Sequence, residues 1–142
     1  MNENITTINL SRIDDHMNFE AVNKNGKSIL MDGSKAVGGK DNGVGPMETL
    51  LMAAAGCSTI DIVLILKKMN QELLDIKVKV DGEVIKVGDA KEYKTIHLHF
   101  DVWGPLKESK VDKAINMSLE KYCSVSKILQ KSAEITSSFK LH

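Results

Sequence analysis

The stretch Pro46-Met47-Glu48-Thr49-Leu50-Leu51-Met52-Ala53-Ala54-Ala55-Gly56-Cys57-Ser58-Thr59-Ile60-Asp61, which continues apolar to Leu66, decides the fold. Proline suits the first helical position, where its missing N–H would have no intrahelical partner anyway. The spacing predicts one helix from Pro46 to about Met69. Apolar residues occupy most of its circumference, so it must be buried on nearly every side. Its length approaches that of a membrane span, but Ser58, Thr59 and Asp61 interrupt it. A core helix, or one shared with a partner subunit, is therefore the better reading, with no membrane involved. One small sheet cannot cover such a helix. A second copy can, with two long helices packed together under sheets from both chains, and a homodimer is expected.

Upstream of the helix, Ile5 to Leu10 and Met17 to Val22 read as short strands. Asn23-Lys24-Asn25-Gly26-Lys27 is a hairpin signal, and Ser28 to Asp32 resumes extended chain. Gly33 to Gly45 contains five glycines and no apolar periodicity, which reads as a flexible connector. No Gly-Lys-Ser/Thr or spaced GxGxxG follows it, so a phosphate loop is set aside. Downstream, Leu74 to Val87 and Tyr93 to Trp103 carry strand periodicity around a turn at Gly88-Asp89-Ala90. Gly104-Pro105 breaks the second of these strands. A helix is expected from about Leu106 to Tyr122, a short one from Ser124 to Lys131, and a last strand from Ala133 to Leu141. With no repeat and no linker, residues 1–142 read as a single α+β domain.

Lys and Arg number 19 and Asp and Glu 19, so no net field recruits nucleic acid or an anionic membrane. Aromatic content of 4 % argues against base stacking, and Arg12 is the single arginine, too few for phosphate recognition. The N-terminal residues Met1-Asn2-Glu3-Asn4-Ile5 lack a basic segment followed by an apolar one. Two thiols without an export signal point to the cytoplasm, where any disulfide should be transient and catalytic.

Those two thiols are the chief candidates for chemistry. Cys57 lies inside the apolar helix and reads as the buried one. Cys123 lies where one helical pattern stops and another starts, and a thiol at a helix N-terminus feels the positive end of the dipole. Asp61 is one turn after Cys57 and shares its face. In so apolar a setting it needs a partner, such as Ser58, Lys121 or a residue of the other subunit. Glu48 in the first turn favours the helix dipole whatever else it does. His97 and His99 alternate along one strand and share a face, but no third ligand is evident and a solvated sheet face explains them. The seven methionines suit gap filling between helices, and a dimer interface lined by Met47, Leu50, Leu51, Met52 and Ile60 could hold an acyl chain.

Gly45-Pro46-Met47-Glu48-Thr49-Leu50-Leu51, Ala54-Ala55-Gly56-Cys57 and Tyr122-Cys123-Ser124-Val125-Ser126 resemble the OsmC/Ohr family of osmotically induced and organic hydroperoxide resistance proteins. The order of elements agrees over nearly the whole chain. Ile29-Leu30-Met31-Asp32-Gly33, Gly56-Cys57-Ser58-Thr59-Ile60-Asp61 and Glu120-Lys121-Tyr122-Cys123-Ser124-Val125 place it nearest the YhfA-like branch. The resemblance implies an OsmC-like fold, with a long buried central helix packed against antiparallel sheets in an intertwined homodimer, and thiol-dependent reduction of organic hydroperoxides. It implies Cys57 as the peroxidatic thiol, Cys123 as the resolving one, and an external dithiol as reductant. That chemistry calls for no metal, flavin or haem. Active members pair the cysteine with an arginine from the N-terminal hairpin and a glutamate directly after the helix-starting proline. Here Met47 follows Pro46 and the carboxylate is Glu48, while the hairpin offers Lys24 and Lys27 and Arg12 lies earlier. Charge partners to be weighed are therefore Glu48, Asp61, Lys24 and Arg12. A small-molecule or lipid-binding protein with little turnover, or a thiol redox sensor, are the alternative readings.

Overall fold

Helix α1 spans Pro46–Lys68, beginning on the expected proline. The computed structural model describes residues 3–142. Before α1 lie β1 (Asn9–Arg12), β2 (Phe19–Val22), β3 (Ser28–Met31) and a 3₁₀ turn at Lys35–Val37. After it come β4 (Asp75–Val87), β5 (Ala90–Trp103), α2 (Glu108–Met117), a π-helical turn at Ser118–Tyr122, α3 (Ser124–Leu129) and β6 (Glu134–Leu141). The result is α+β, as the sequence suggested, and its strands form two three-stranded sheets. The chain divides into two compact units, one ending at Leu50 and the other running from Leu51 to His142.

The first unit is an antiparallel meander in the order β1-β2-β3. Gly26, with φ +79°, makes the β2–β3 turn at the expected place, its N–H reaching Asn23 O at 3.1 Å. The first strand is shifted from the expected Ile5–Leu10 to Asn9–Arg12, because pairing with β2 begins at Asn9 opposite Val22. Arg12 closes the next turn, its Nε and Nη2 donating to His16 O (2.7 Å) and Asp15 O (2.5 Å). The glycine-rich loop is pinned rather than free. Asp32 is buried and its Oδ2 accepts from Asn42 N at 3.0 Å, while Met31 bridges Val44.

In the second unit β4 and β5 form a long antiparallel hairpin, but β6 joins β5 in parallel rather than antiparallel as expected, because the crossover through α2 and α3 returns the chain to the same end of the sheet. Glu83 faces Thr95 but Val84 faces Tyr93, leaving Lys94 as the extra residue of a bulge. The bulge explains why burial on β5 runs Ile96, Leu98, Phe100, Val102 and then falls on Tyr93 instead of Lys94. Those four residues have no exposed surface, and neither have Ile62 and Leu66 of α1 or Val111 and Ala114 of α2. They are the core of this unit.

Gly104 ends β5 with φ +140°, and a Cβ there would stand 2.4 Å from Glu72 O. A side chain would meet both backbone strain and a carbonyl that cannot give way. Gly104→Ala is expected to destabilise by about 2 kcal/mol or more, read as a lower urea midpoint with unchanged slope.

Helix α1 buries only one stripe within its own chain, Ala54, Ser58, Ile62, Ile65 and Leu66. Met52, Ile60 and Leu64 are 50, 63 and 53 % exposed, and Gly56 between them faces open space. These positions form a second, continuous stripe along the helix. One chain buries five of the helix's 23 residues, so the all-round burial read from the sequence is not met within it. Pro46–Lys68 is also the one helix among the described residues long and apolar enough to cross a membrane, but its inner stripe is part of a soluble-type core.

Candidate functional site

Cys57 and Asp61 sit one turn apart on α1, at the border between its buried and uncovered stripes. Cys123 comes from the far end of the fold's second half, where the chain leaves the π-helical turn. That turn is the device that delivers it. A regular helix would have continued, as expected, to Tyr122; instead α2 stops at Met117 and widens, with Cys123 N donating to Ser118 O at 2.7 Å. The sulfurs of Cys57 and Cys123 and a carboxylate oxygen of Asp61 all lie within 4.8 Å of one another.

The two thiols differ in the opposite sense to the sequence reading. Cys123 has no exposed surface, whereas Cys57 is half-buried. Cys123 does cap α3, with Ser126 N donating to its Sγ at 3.4 Å. Burial nonetheless pushes its pKa above the ordinary 9.0, and the neighbouring Cys57 adds to the rise, so the Ser126 contacts offset only part of it. Desolvation has won over the cap of a short helix.

Two results are expected from this contrast. The unfolded chain ionises Cys123 near 9.0 and the folded chain at higher pH, so stability is full below 9.0 and falls as pH rises through the folded value. With iodoacetamide, Cys57 should be alkylated at least about tenfold faster than Cys123, because the reagent needs both thiolate and access. Peptide mapping of the partly alkylated native protein checks the order.

Asp61 found a partner that sequence reasoning missed. Ser118 Oγ lies 3.1 Å from Ser58 O and 3.3 Å from Asp61 Oδ2, so its one proton is shared between a carbonyl and the carboxylate. Ser58, a named candidate, instead back-bonds to Ala54 O at 2.7 Å, and Lys121 lies 5.2 Å over the Tyr122 ring. The only sequence signal for Ser118 was a small polar residue in an otherwise amphipathic helix. An apolar groove of about 340 Å³ is lined by Asp61, Leu64, Ile65, Lys68, Met69, Met117 and Tyr122. None of the residues expected to line an acyl-holding interface, Met47, Leu50, Leu51, Met52 or Ile60, is among them.

The other charge candidates have local tasks. Glu48 Oε1 accepts from Gly45 N at 3.2 Å, the reach-back contact of a capped helix start. Nine residues separate it from Cys57 (57 − 48), half a revolution apart on the helix. Arg12 is held by the two turn carbonyls already described, and Lys24 lies in the β2–β3 turn. All three belong to the first unit, while Cys57, Asp61 and Cys123 belong to the second. His97 and His99 do share a face, as expected. Their rings are hydrogen-bonded to β6: His97 Nδ1 to Thr136 Oγ1 at 2.7 Å, and His99 Nδ1 to Ser138 Oγ at 2.7 Å. Asp101 continues this ladder, its pKa lowered chiefly by the His142 hydrogen bond and further by His99.

Two sulfurs brought together by a mixed α+β scaffold define a paired-thiol protein. The family model described as OsmC-like protein matches residues 39–138, and the chain belongs to that family. It is 40 % identical to Protein YhfA of Escherichia coli K12 over 126 residues, 88 % of this chain and 90 % of that one. A protein from Aquifex aeolicus VF5 shares 28 % identity at a TM-score of 0.80, covering 97 % of this chain and 98 % of its own. The organic hydroperoxide resistance protein OhrB of Bacillus subtilis shares the fold at a TM-score of 0.69 and 15 % identity, with 96 and 98 % of the two chains covered.

Proposed function

We propose that this protein is a thiol-dependent peroxidase that reduces organic hydroperoxides, working as a cytoplasmic homodimer in which residues 1–142 act as one domain. The observation that carries the reading is the approach of Cys57, Asp61 and Cys123 to within 4.8 Å beside an apolar groove. The half-buried Cys57 thiolate attacks the outer peroxide oxygen; the O–O bond breaks, an alcohol leaves, and Cys57 becomes a sulfenic acid. In this reading Asp61 relays the thiol proton towards the leaving alkoxide. The Cys123 sulfur then displaces hydroxide from the sulfenic sulfur, giving a disulfide and water. The gap to be closed is under ~3 Å, given a bond of about 2.05 Å. An external dithiol supplies two electrons and two protons to restore both thiols.

The groove supports a preference for organic substrates. A cumyl-sized group burying on the order of 100 Å² gains about 2.5 kcal/mol, and half of that realised in the transition state gives about tenfold in kcat/KM. The test is titration of the reduced protein with cumene hydroperoxide and hydrogen peroxide while free thiols are followed. Rapid loss of both thiols per chain, faster with cumene hydroperoxide, is expected. Inertness to both supports the second reading, a small-molecule or lipid-binding protein, which the local engagement of Arg12 and Glu48 favours.

A further inference from the structure

We propose that the reduced protein binds one zinc-type divalent cation between Cys57 Sγ, Cys123 Sγ and the Asp61 carboxylate. The juxtaposition is that of a metal site with one position left open. Zinc takes sulfur at about 2.3 Å and carboxylate oxygen at about 2.0–2.2 Å, which puts tetrahedral ligand atoms ~3.5–3.8 Å apart. The three donor atoms already lie within 4.8 Å, so closing about the ion requires shifts of roughly 1 Å. Thiolates with a carboxylate are a donor set that suits zinc and disfavours magnesium or calcium.

Two further features fit an ion. Ser118 Oγ, 3.3 Å from Asp61 Oδ2, holds the carboxylate by a hydrogen bond, as the groups supporting metal ligands do. Two sulfurs and a carboxylate crowded together oppose each other's charge; a cation with charge 2+ turns that repulsion into attraction. Three protein ligands leave a fourth position for water or an incoming donor, and one of them, Asp61, also lines the apolar groove. On binding, the two thiol protons leave to solvent, and no electrons move. This site goes beyond the peroxidase reading and does not rest on it. The sequence had suggested no metal, since its ligands are 66 residues apart (123 − 57) and meet only in the fold.

The experiment is anaerobic titration of the reduced full-length chain with Co²⁺, followed by displacement with Zn²⁺. A thiolate-to-cobalt charge-transfer band should grow to one ion per chain and vanish as Zn²⁺ is added. Surface histidines give no such band. Cys57→Ser, at a half-buried position, should fold normally and lose the band; Asp61→Asn should weaken binding by about tenfold or more. Cys123→Ser, at a fully buried position, is informative only once circular dichroism shows it folded, and Cys57→Ser therefore decides. Absence of the band, its survival in Cys57→Ser, or unchanged affinity in Asp61→Asn overturns the proposal. No readout uses a peroxide, so inertness to hydroperoxides would sink the peroxidase reading alone.

Discussion

Cys57→Ser is expected to abolish hydroperoxide consumption, a loss of three orders of magnitude or more, on the order of 4 kcal/mol. Hydroxyl at that position is not ionised near neutrality and cannot attack the O–O bond. Cys123→Ser should behave differently. The attacking sulfur still reaches sulfenic acid, so one equivalent of peroxide is consumed and turnover stops, because no second thiol closes the disulfide. Mass spectrometry after peroxide treatment should find a Cys57–Cys123 disulfide in the wild type and sulfenic or higher oxidation at Cys57 in Cys123→Ser. First oxidation at Cys123 would reverse the assignment. The full burial of Cys123 and its raised pKa make that order unfavourable.

Ile60→Lys is expected to split the proposed dimer. Met52, Ile60, Val63 and Leu64 are exposed apolar residues on one face of α1, and Gly56 lets a neighbour approach the helix backbone closely. Burial of each large side chain contributes about 1.5–3 kcal/mol. An unpaired ammonium at the centre of such a stripe should weaken association at least about 100-fold, roughly 2.7 kcal/mol. Sedimentation should give about twice the 15.6 kDa chain mass for the wild type and a mixture shifted towards monomer for the variant. A wild-type chain that is folded, soluble and monomeric at micromolar concentration would remove the basis of the assembly.

The helix and both hairpins were legible because each has a local cause. Pro46 and Glu48 mark the start of α1, Gly26 needs a positive φ, and β5 alternates apolar with polar from Ile96 to Val102. The two cysteines and Asp61 were also visible as residues. Their environments were not. Cys123 was read from its place before a helix, but its burial depends on a π-helical turn that no local pattern announces. Ser118 became Asp61's partner only because that turn carries it towards α1, 57 residues away in sequence. The groove beside Asp61 was not legible for a related reason. Periodicity shows that a helix is apolar all round, but not which stripe its own chain will cover.

The parallel pairing of β6 with β5 has a consequence for how the chain folds. The hairpin β4–β5 closes across a two-residue turn, Val87 opposite Ala90, and can form early and alone. Strand β6 joins at a constant separation of 39 residues, as Thr95 opposite Glu134 shows (134 − 95). That loop must close, with α2 and α3 in place, before any of its ladder bonds repay the entropy. Until then β5 is an open edge carrying Ile96, Leu98, Phe100 and Val102, which the finished fold buries completely, in an extended template that other chains can pair with. The slow step of folding and the moment of greatest aggregation risk therefore coincide in the docking of the last strand.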